Sequence, residues 1–217
     1  NVSEKSFKVL GVIKPESTGA PELLKKEVAK KEEPKPVKYP LNMTVQSTDD
    51  FYISPIHTRL LSAADHRAQT DGLATVYATG PSGYGKTSLG IELAKQTGRD
   101  YYLLSTPMVR DTEEWFFVRH AKGGSTVWAN TDFIEQTMAG DVVIIIDEIN
   151  RAEPWLANPL LQLMHFDRTV NVQNESFTVG PNVIFFMTAN VGIQYTGTNE
   201  LDIALRNRAT TRINVNS

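Results

Sequence analysis

The sequence predicts an α/β domain in which a parallel β-sheet is flanked by helices, and three observations carry that prediction. Short apolar, β-branched runs recur at residues 73–79, 142–146 and 183–188, separated by stretches with helical signals. One of them, Val142-Val143-Ile144-Ile145-Ile146, is β-branched throughout, the composition of a strand covered on both faces. The first run leads into a glycine-rich loop and then a helical stretch, a strand–loop–helix order that belongs to parallel sheets.

Each element has a local reason. Phe51-Tyr52-Ile53-Ser54-Pro55-Ile56 is apolar and extended, and residues 57–70 read as a helix. Leu73 to Thr79 is the strand feeding the loop. The helix after the loop ends near Thr97-Gly98, glycine being the usual residue past a helix end. Tyr101-Tyr102-Leu103-Leu104 reads as a second buried strand. Asp111-Thr112-Glu113-Glu114 is a good helix start, leading into Trp115-Phe116-Phe117-Val118. Lys122 to Ser125 is a loop, and Thr131 to Met138 a helix stopped by Gly140. After the central strand, a helix through Leu160-Leu161-Gln162-Leu163-Met164 begins either at Pro154, with a bend at Pro159, or at Pro159 itself. Residues 168–172 and 175–179 alternate like a hairpin about Gln173-Asn174. Val183 to Thr188 is a fourth buried strand ending in Ala189-Asn190. Residues 200–208 read as a short helix, and 211–215 as a final strand.

Residues 1–40 stand apart in composition. Beyond an apolar patch at residues 7–13 they are rich in Lys, Glu and Pro, and read as a flexible, solvated segment. The alternative is a docking tail whose apolar patch adds a strand to a partner. The domain proper is expected over residues 41–217.

Bulk composition narrows the class. The chain has 217 residues, 41% of them apolar, enough for one core. A net charge of −3 gives no indication of nucleic acid as a partner. With no cysteine, disulfides and thiolate chemistry are excluded, and a reducing, cytoplasmic location is expected. No apolar run is long enough for a membrane span. The four histidines never fall at ligand spacing with carboxylates, so packing or surface roles are expected for them.

The chemistry lies in two stretches. Gly80-Pro81-Ser82-Gly83-Tyr84-Gly85-Lys86-Thr87 fits the phosphate-binding pattern G-x-x-x-x-G-K-[ST]. Its glycines let backbone N–H groups converge on a polyanion, Lys86 adds a point charge at the β- and γ-phosphates, and the Thr87 hydroxyl can hold Mg²⁺. Ser88 opens the helix whose positive end faces the same phosphates. Asp147-Glu148 caps the central strand at the edge where such sheets bind ligands. Following a phosphate loop, the pair reads as the Mg²⁺ carboxylate (Asp147) and the base that polarises water (Glu148).

The ordered set of motifs resembles the AAA+ ATPases, a branch of the P-loop NTPases. Within them it is similar to the MoxR and dynein-related branch, with activators of the CbbQ, NorQ and GvpN type, the CobS chelatase subunit and the McrB GTPase. The resemblance covers roughly residues 50–215. It rests on residues 80–87, the run Ile144 to Pro154 with its Asp147-Glu148-Ile149-Asn150-Arg151 core, the strand ending Met187-Thr188-Ala189-Asn190, and residues 195–208. The resemblance implies ATP and Mg²⁺ held by residues 80–88 and Asp147, with Asn190 as a polar sensor aligning the water beside Glu148. Arg208 falls in the slot of the arginine finger, with Ala209 where an aromatic is usual, and Arg206 is the alternative. It further implies a homo-oligomeric, hexameric ring, a 168–179 hairpin facing the pore or client, and a separate protein client, one candidate carrying a metal-ion-dependent adhesion domain. Family members carry a helical lid after this core. The chain ends before one, so the large subdomain alone is expected. An ATP-driven motor or chaperone is the leading expectation; a McrB-like GTPase ring and a nucleotide-gated scaffold with little hydrolysis are the alternatives.

Overall fold

A computed structural model describes residues 44–106, 109–122, 125–191 and 203–215. The expected solvated segment at residues 1–40 lies outside them. Helix α1 (Pro55–Asp71) is opened by Ser54, whose hydroxyl accepts from the His57 N–H, and by Pro55 in its first turn. Strand β1 (Leu73–Gly80) runs into the loop, and α2 (Lys86–Thr97) follows, ended by Gly98 in the left-handed conformation. Strand β2 (Asp100–Ser105), α3 (Asp132–Ala139) and β5 (Val142–Asp147) come next, with a hairpin of β3 (Phe117–Lys122) and β4 (Ser125–Asn130) between β2 and α3. Helix α4 (Asn158–Leu163), the hairpin β6 (Thr169–Val172) and β7 (Glu175–Thr178), β8 (Val183–Asn190), α5 (Ile203–Arg208) and β9 (Thr211–Asn214) complete the order.

Five strands form one parallel sheet in the order β2-β5-β8-β1-β9. The predicted α/β class, a parallel sheet with helices on both faces, is what the chain adopts. Period-two alternation splits the core in two. Ala74, Val76 and Ala78 of β1, Val143 and Ile145 of β5, and Ile184 and Phe186 of β8 face α1 and α2. Tyr77, Ile144, Ile146, Phe185 and Met187 face the other way, toward α3, α4 and the hairpins. Parallel pairing aligns the C-terminal ends of the strands, with Gly80 opposite Asn190, Ile146 opposite Met187 and Ser105 opposite Asp147.

Two expectations change and one open alternative resolves. β2 is an edge strand, with Tyr101 and Leu103 about half exposed, because nothing pairs with its outer side among the described residues. The helix expected from Asp111 stops after one 3-10 turn, Thr112–Trp115. Its aromatic continuation becomes β3, since Phe117 packs on Phe177 and Trp128 across the hairpins rather than along a helix face. The proline alternatives resolve into a 3-10 turn at Pro154–Ala157 that runs into α4, with Pro159 in the first turn of the α-helix, where its missing N–H costs nothing. Of the tryptophans, Trp115 is core, its indole N–H donating to the Leu156 carbonyl at 2.9 Å, whereas Trp128 and Trp155 are about half exposed. Among the described residues no helix is long and apolar enough to cross a membrane.

Candidate functional site

The site grows from the end of β1. Gly83 and Gly85 hold φ of 83° and 76°, a region where a side chain would be strained, and Gly85 is the residue that caps α2. Lys86 opens α2 and is buried; its Nζ donates to the carbonyls of Gly80 (3.0 Å) and Pro81 (2.6 Å). The ammonium is thereby held against the start of the loop.

The acidic pair comes from the C-terminal end of β5, which β8 separates from β1 in the sheet. Asp147 continues the alternation of Val143 and Ile145, so its carboxylate lies on the same face as α2. There Thr87 Oγ1 donates to Asp147 Oδ1 at 2.8 Å, and Thr188 Oγ1 donates to the same oxygen at 2.6 Å. Strict alternation would put Glu148 on the opposite face. Instead Glu148 takes φ of 54°, a left-handed conformation that costs about 1–2 kcal/mol for a residue with a side chain. That break turns its carboxylate back to Asn190, whose Nδ2 donates to Glu148 Oε1 at 2.8 Å. Asn190 sits two residues after Thr188 on β8, hence on the same face.

The result is a cleft of about 260 Å³ walled by loop residues between Ser82 and Ser88, by Asp147 and Glu148, and by Asn190. A second, smaller cleft of about 170 Å³ adjoins it at Gly85, between Phe51, Ile53, Tyr84, Leu89 and Val215. The first offers donors and carboxylates; the second offers flat and aliphatic walls. A hydroxyl and a carboxylate at 2.8 Å are hard oxygen donors of the kind Mg²⁺ takes from a protein when phosphates and water complete its shell. Among the described residues no three His, Cys, Asp or Glu side chains converge as a metal cage.

The loop residues, Thr87, Asp147, Glu148 and Asn190 thus come together. Arg206 and Arg208 do not line this cleft. Arg208 Nε donates to the Leu161 carbonyl of α4 at 3.1 Å, and Arg206 is exposed, its carbonyl accepting from Arg212 Nη2 at 2.8 Å.

Three residues at the site had been given no role from the sequence. Thr188 accepts from the Glu148 N–H at 3.0 Å while donating to Asp147, so one hydroxyl ties the two carboxylate-bearing residues together. Its signal was the two-residue step before Asn190. Thr106 Oγ1 donates to the Asp147 carbonyl at 2.7 Å, a contact with no sequence signature. Asn150 Nδ2 donates to the Asn190 carbonyl at 2.8 Å. Its signal was its place two residues after Glu148.

Comparison with known proteins shows the family. A family model described as "AAA domain (dynein-related subfamily)", AAA_5, matches residues 76–209, more than half of the chain. Among curated proteins, the chain is 28% identical over 166 residues to BssE of Thauera aromatica, named as a candidate chaperone; the match covers 76% of this chain and 58% of that protein. It is 30% identical over 121 residues to Lon protease 2 of Bdellovibrio bacteriovorus, covering 52% of this chain and 15% of the protease. The chain therefore spans only part of the length of both relatives. Among solved structures, the RuvB Holliday junction branch migration motor of Thermotoga maritima superposes with a TM-score of 0.50 at 19% identity, over 79% of this chain and 48% of that one, a likeness of fold. With its phosphate loop, acidic pair and strand-end asparagine brought to one sheet edge, the chain belongs to the dynein-related subfamily of AAA domains.

Proposed function

We propose that this protein binds and hydrolyses ATP with Mg²⁺, and that it does so as a subunit of a homo-oligomeric ring that remodels or activates a protein partner, in the manner of the MoxR-type branch. One observation carries the reading: Glu148 and Asn190 are joined at 2.8 Å directly beside the Thr87–Asp147 pair, so a water-orienting carboxylate stands next to a hard-oxygen metal pair at the mouth of a phosphate loop. The adjoining cleft about Phe51 and Tyr84 has walls suited to a planar base.

In this reading the loop N–H groups and Lys86 hold the β- and γ-phosphates. Mg²⁺ at Thr87 and Asp147 would neutralise charge on them. Glu148 accepts a hydrogen bond from the attacking water, and Asn190 keeps the carboxylate turned to it. The cation that stabilises the transferring phosphoryl group is supplied by the neighbouring subunit, through Arg208 or Arg206. Both stand away from their own cleft, which supports a role in trans. A group of this kind contributes about 10³–10⁵ in rate. The β6–β7 hairpin is the segment proposed to meet the client.

The test is turnover per subunit against protein concentration, with ATP and with GTP. The expected result is a rate that rises with concentration, falls at least about 100-fold in Glu148→Gln, and is poisoned when Arg208→Ala or Arg206→Ala subunits are mixed into wild type. A rate per subunit independent of concentration and indifferent to both arginine variants would overturn the shared site. Preference for GTP with stimulation by DNA would replace the protein-remodelling reading with a nucleic-acid one.

A further inference from the structure

Directly after the left-handed Glu148, residues Ile149–Arg151 form a single 3-10 turn. Ile149 is buried in the core and anchors it. The other two side chains both reach back to the water-orienting pair. Asn150 donates to the Asn190 carbonyl at 2.8 Å, and Arg151 Nε lies 3.2 Å from Glu148 Oε2, while Asn190 itself holds Glu148 Oε1. With the peptide bond from Asn150 to Arg151, the three contacts close a circuit through Glu148 and Asn190.

Asn150 makes a poor structural residue. It is 5% exposed, and its Oδ1 is buried with no hydrogen-bond partner among the described residues. The contact of its Nδ2 with the Asn190 carbonyl sets the orientation of the amide, since the reverse orientation would put oxygen against oxygen. An interior amide with an unmet acceptor is less favourable than an apolar side chain of similar shape. What it provides is one donor, aimed at the backbone of the residue that steers Glu148.

We propose that this turn is a positioning device for hydrolysis: Asn150 fixes the backbone of Asn190, and Arg151 fixes the second oxygen of Glu148. A single hydrogen bond to one carboxylate oxygen leaves the group free to swing about that contact, and the Arg151 contact removes the swing. Arg151 is about half exposed, so its ion pair is weak, and the buried Asn150 is the stronger arm. Neither residue touches the reacting atoms. The proposal rests on the hydrolytic roles read for Glu148 and Asn190.

The experiment compares wild type, Glu148→Gln, Asn150→Leu, Asn150→Ala and Arg151→Gln for kcat, KM for Mg-ATP, and Tm. Asn150→Leu is expected to lower kcat about 10-fold or more. KM should stay within about twofold, and Tm within about 2 °C of wild type or above it. Should leucine not fit, Asn150→Ala is expected to give the same split of kcat from KM. Arg151→Gln should lower kcat by a smaller factor, about two- to fivefold. A fall in Tm with KM rising in step, or an unchanged kcat in the Asn150 variants, overturns the positioning role. If Glu148→Gln abolishes turnover while the Asn150 variants turn over normally, this proposal alone fails; if Glu148→Gln turns over as wild type, the hydrolytic reading fails and takes the proposal with it.

Discussion

Removing the carboxylate of Asp65 should destabilise the domain severely without touching the site. Asp65 of α1 and Arg99, between α2 and β2, form an ion pair at 2.5 Å with side chains only 3% and 2% exposed. Asp65 also accepts from Thr44 Oγ1 at 2.8 Å and Gln69 Nε2 at 3.0 Å. Arg99 also donates to the backbone and side-chain oxygens of Asn182, and Asn182 donates to Asp141 at 2.5 Å. Asp65→Ala leaves a buried guanidinium without its counter-charge, a defect of about 3–5 kcal/mol. Because Asn182 still offers two neutral acceptors, the lower end applies, about 3 kcal/mol. For a domain of this size that is a fall in Tm of about 6–12 °C. Arg99, Asp141 and Asn182 precede β2, β5 and β8, so the network lies at the N-terminal edge of the parallel sheet, opposite the cleft. KM for ATP should therefore be unchanged at temperatures where the variant is folded. The joint replacement Asp65→Leu with Arg99→Met removes both charges and should return stability to within about 1 kcal/mol of wild type. Thermal and urea melts of the two single variants and the pair decide it. A loss below about 1 kcal/mol in Asp65→Ala, or a pair as unstable as the single variant, would refute the reasoning.

Three further outcomes follow from the geometry. Thr188→Val keeps the shape but removes both the donor to Asp147 and the acceptor for the Glu148 N–H, and should weaken Mg²⁺ dependence or activity about 10-fold, read from a Mg²⁺ titration of turnover. Gly90 packs α2 onto the sheet, where an added Cβ would stand 3.0 Å from Phe186 and 3.2 Å from Ile145; Gly90→Val should cost about 1–3 kcal/mol in a urea melt and raise KM by shifting the helix that carries Lys86 and Thr87. Burial holds the Tyr77 phenol above its ordinary 10.0, with the Arg206 charge pulling the other way. Below pH 10 both folded and unfolded chains carry the neutral phenol; above it the unfolded chain ionises first, so stability falls as pH climbs toward the folded value. Tyr77→Phe should flatten that alkaline slope in melts taken on either side of pH 10.

By itself the sequence determined the sheet, the glycine-rich loop and most of the side chains that meet at the cleft. Local signals sufficed because the β-branched run Val142 to Ile146 favours a covered strand, Gly83 and Gly85 permit backbone that other residues resist, and an acidic pair after such a strand sits at the ligand edge. Where local signals misled, tertiary packing had won. Phe117 left a promising helix because its ring finds Phe177 and Trp128 across two hairpins, and β2 became an edge because no strand pairs outside it among the described residues. The arrangement of the site was legible only in three dimensions. Strand register puts Thr188 in line with Asp147, and a positive φ reverses Glu148 against the alternation of its own strand, bringing it to Asn190 from forty-two positions away. Sequence fixes which side chains a strand carries; the register of its neighbours and a single left-handed residue decide which of them meet, because those depend on contacts that no local window contains.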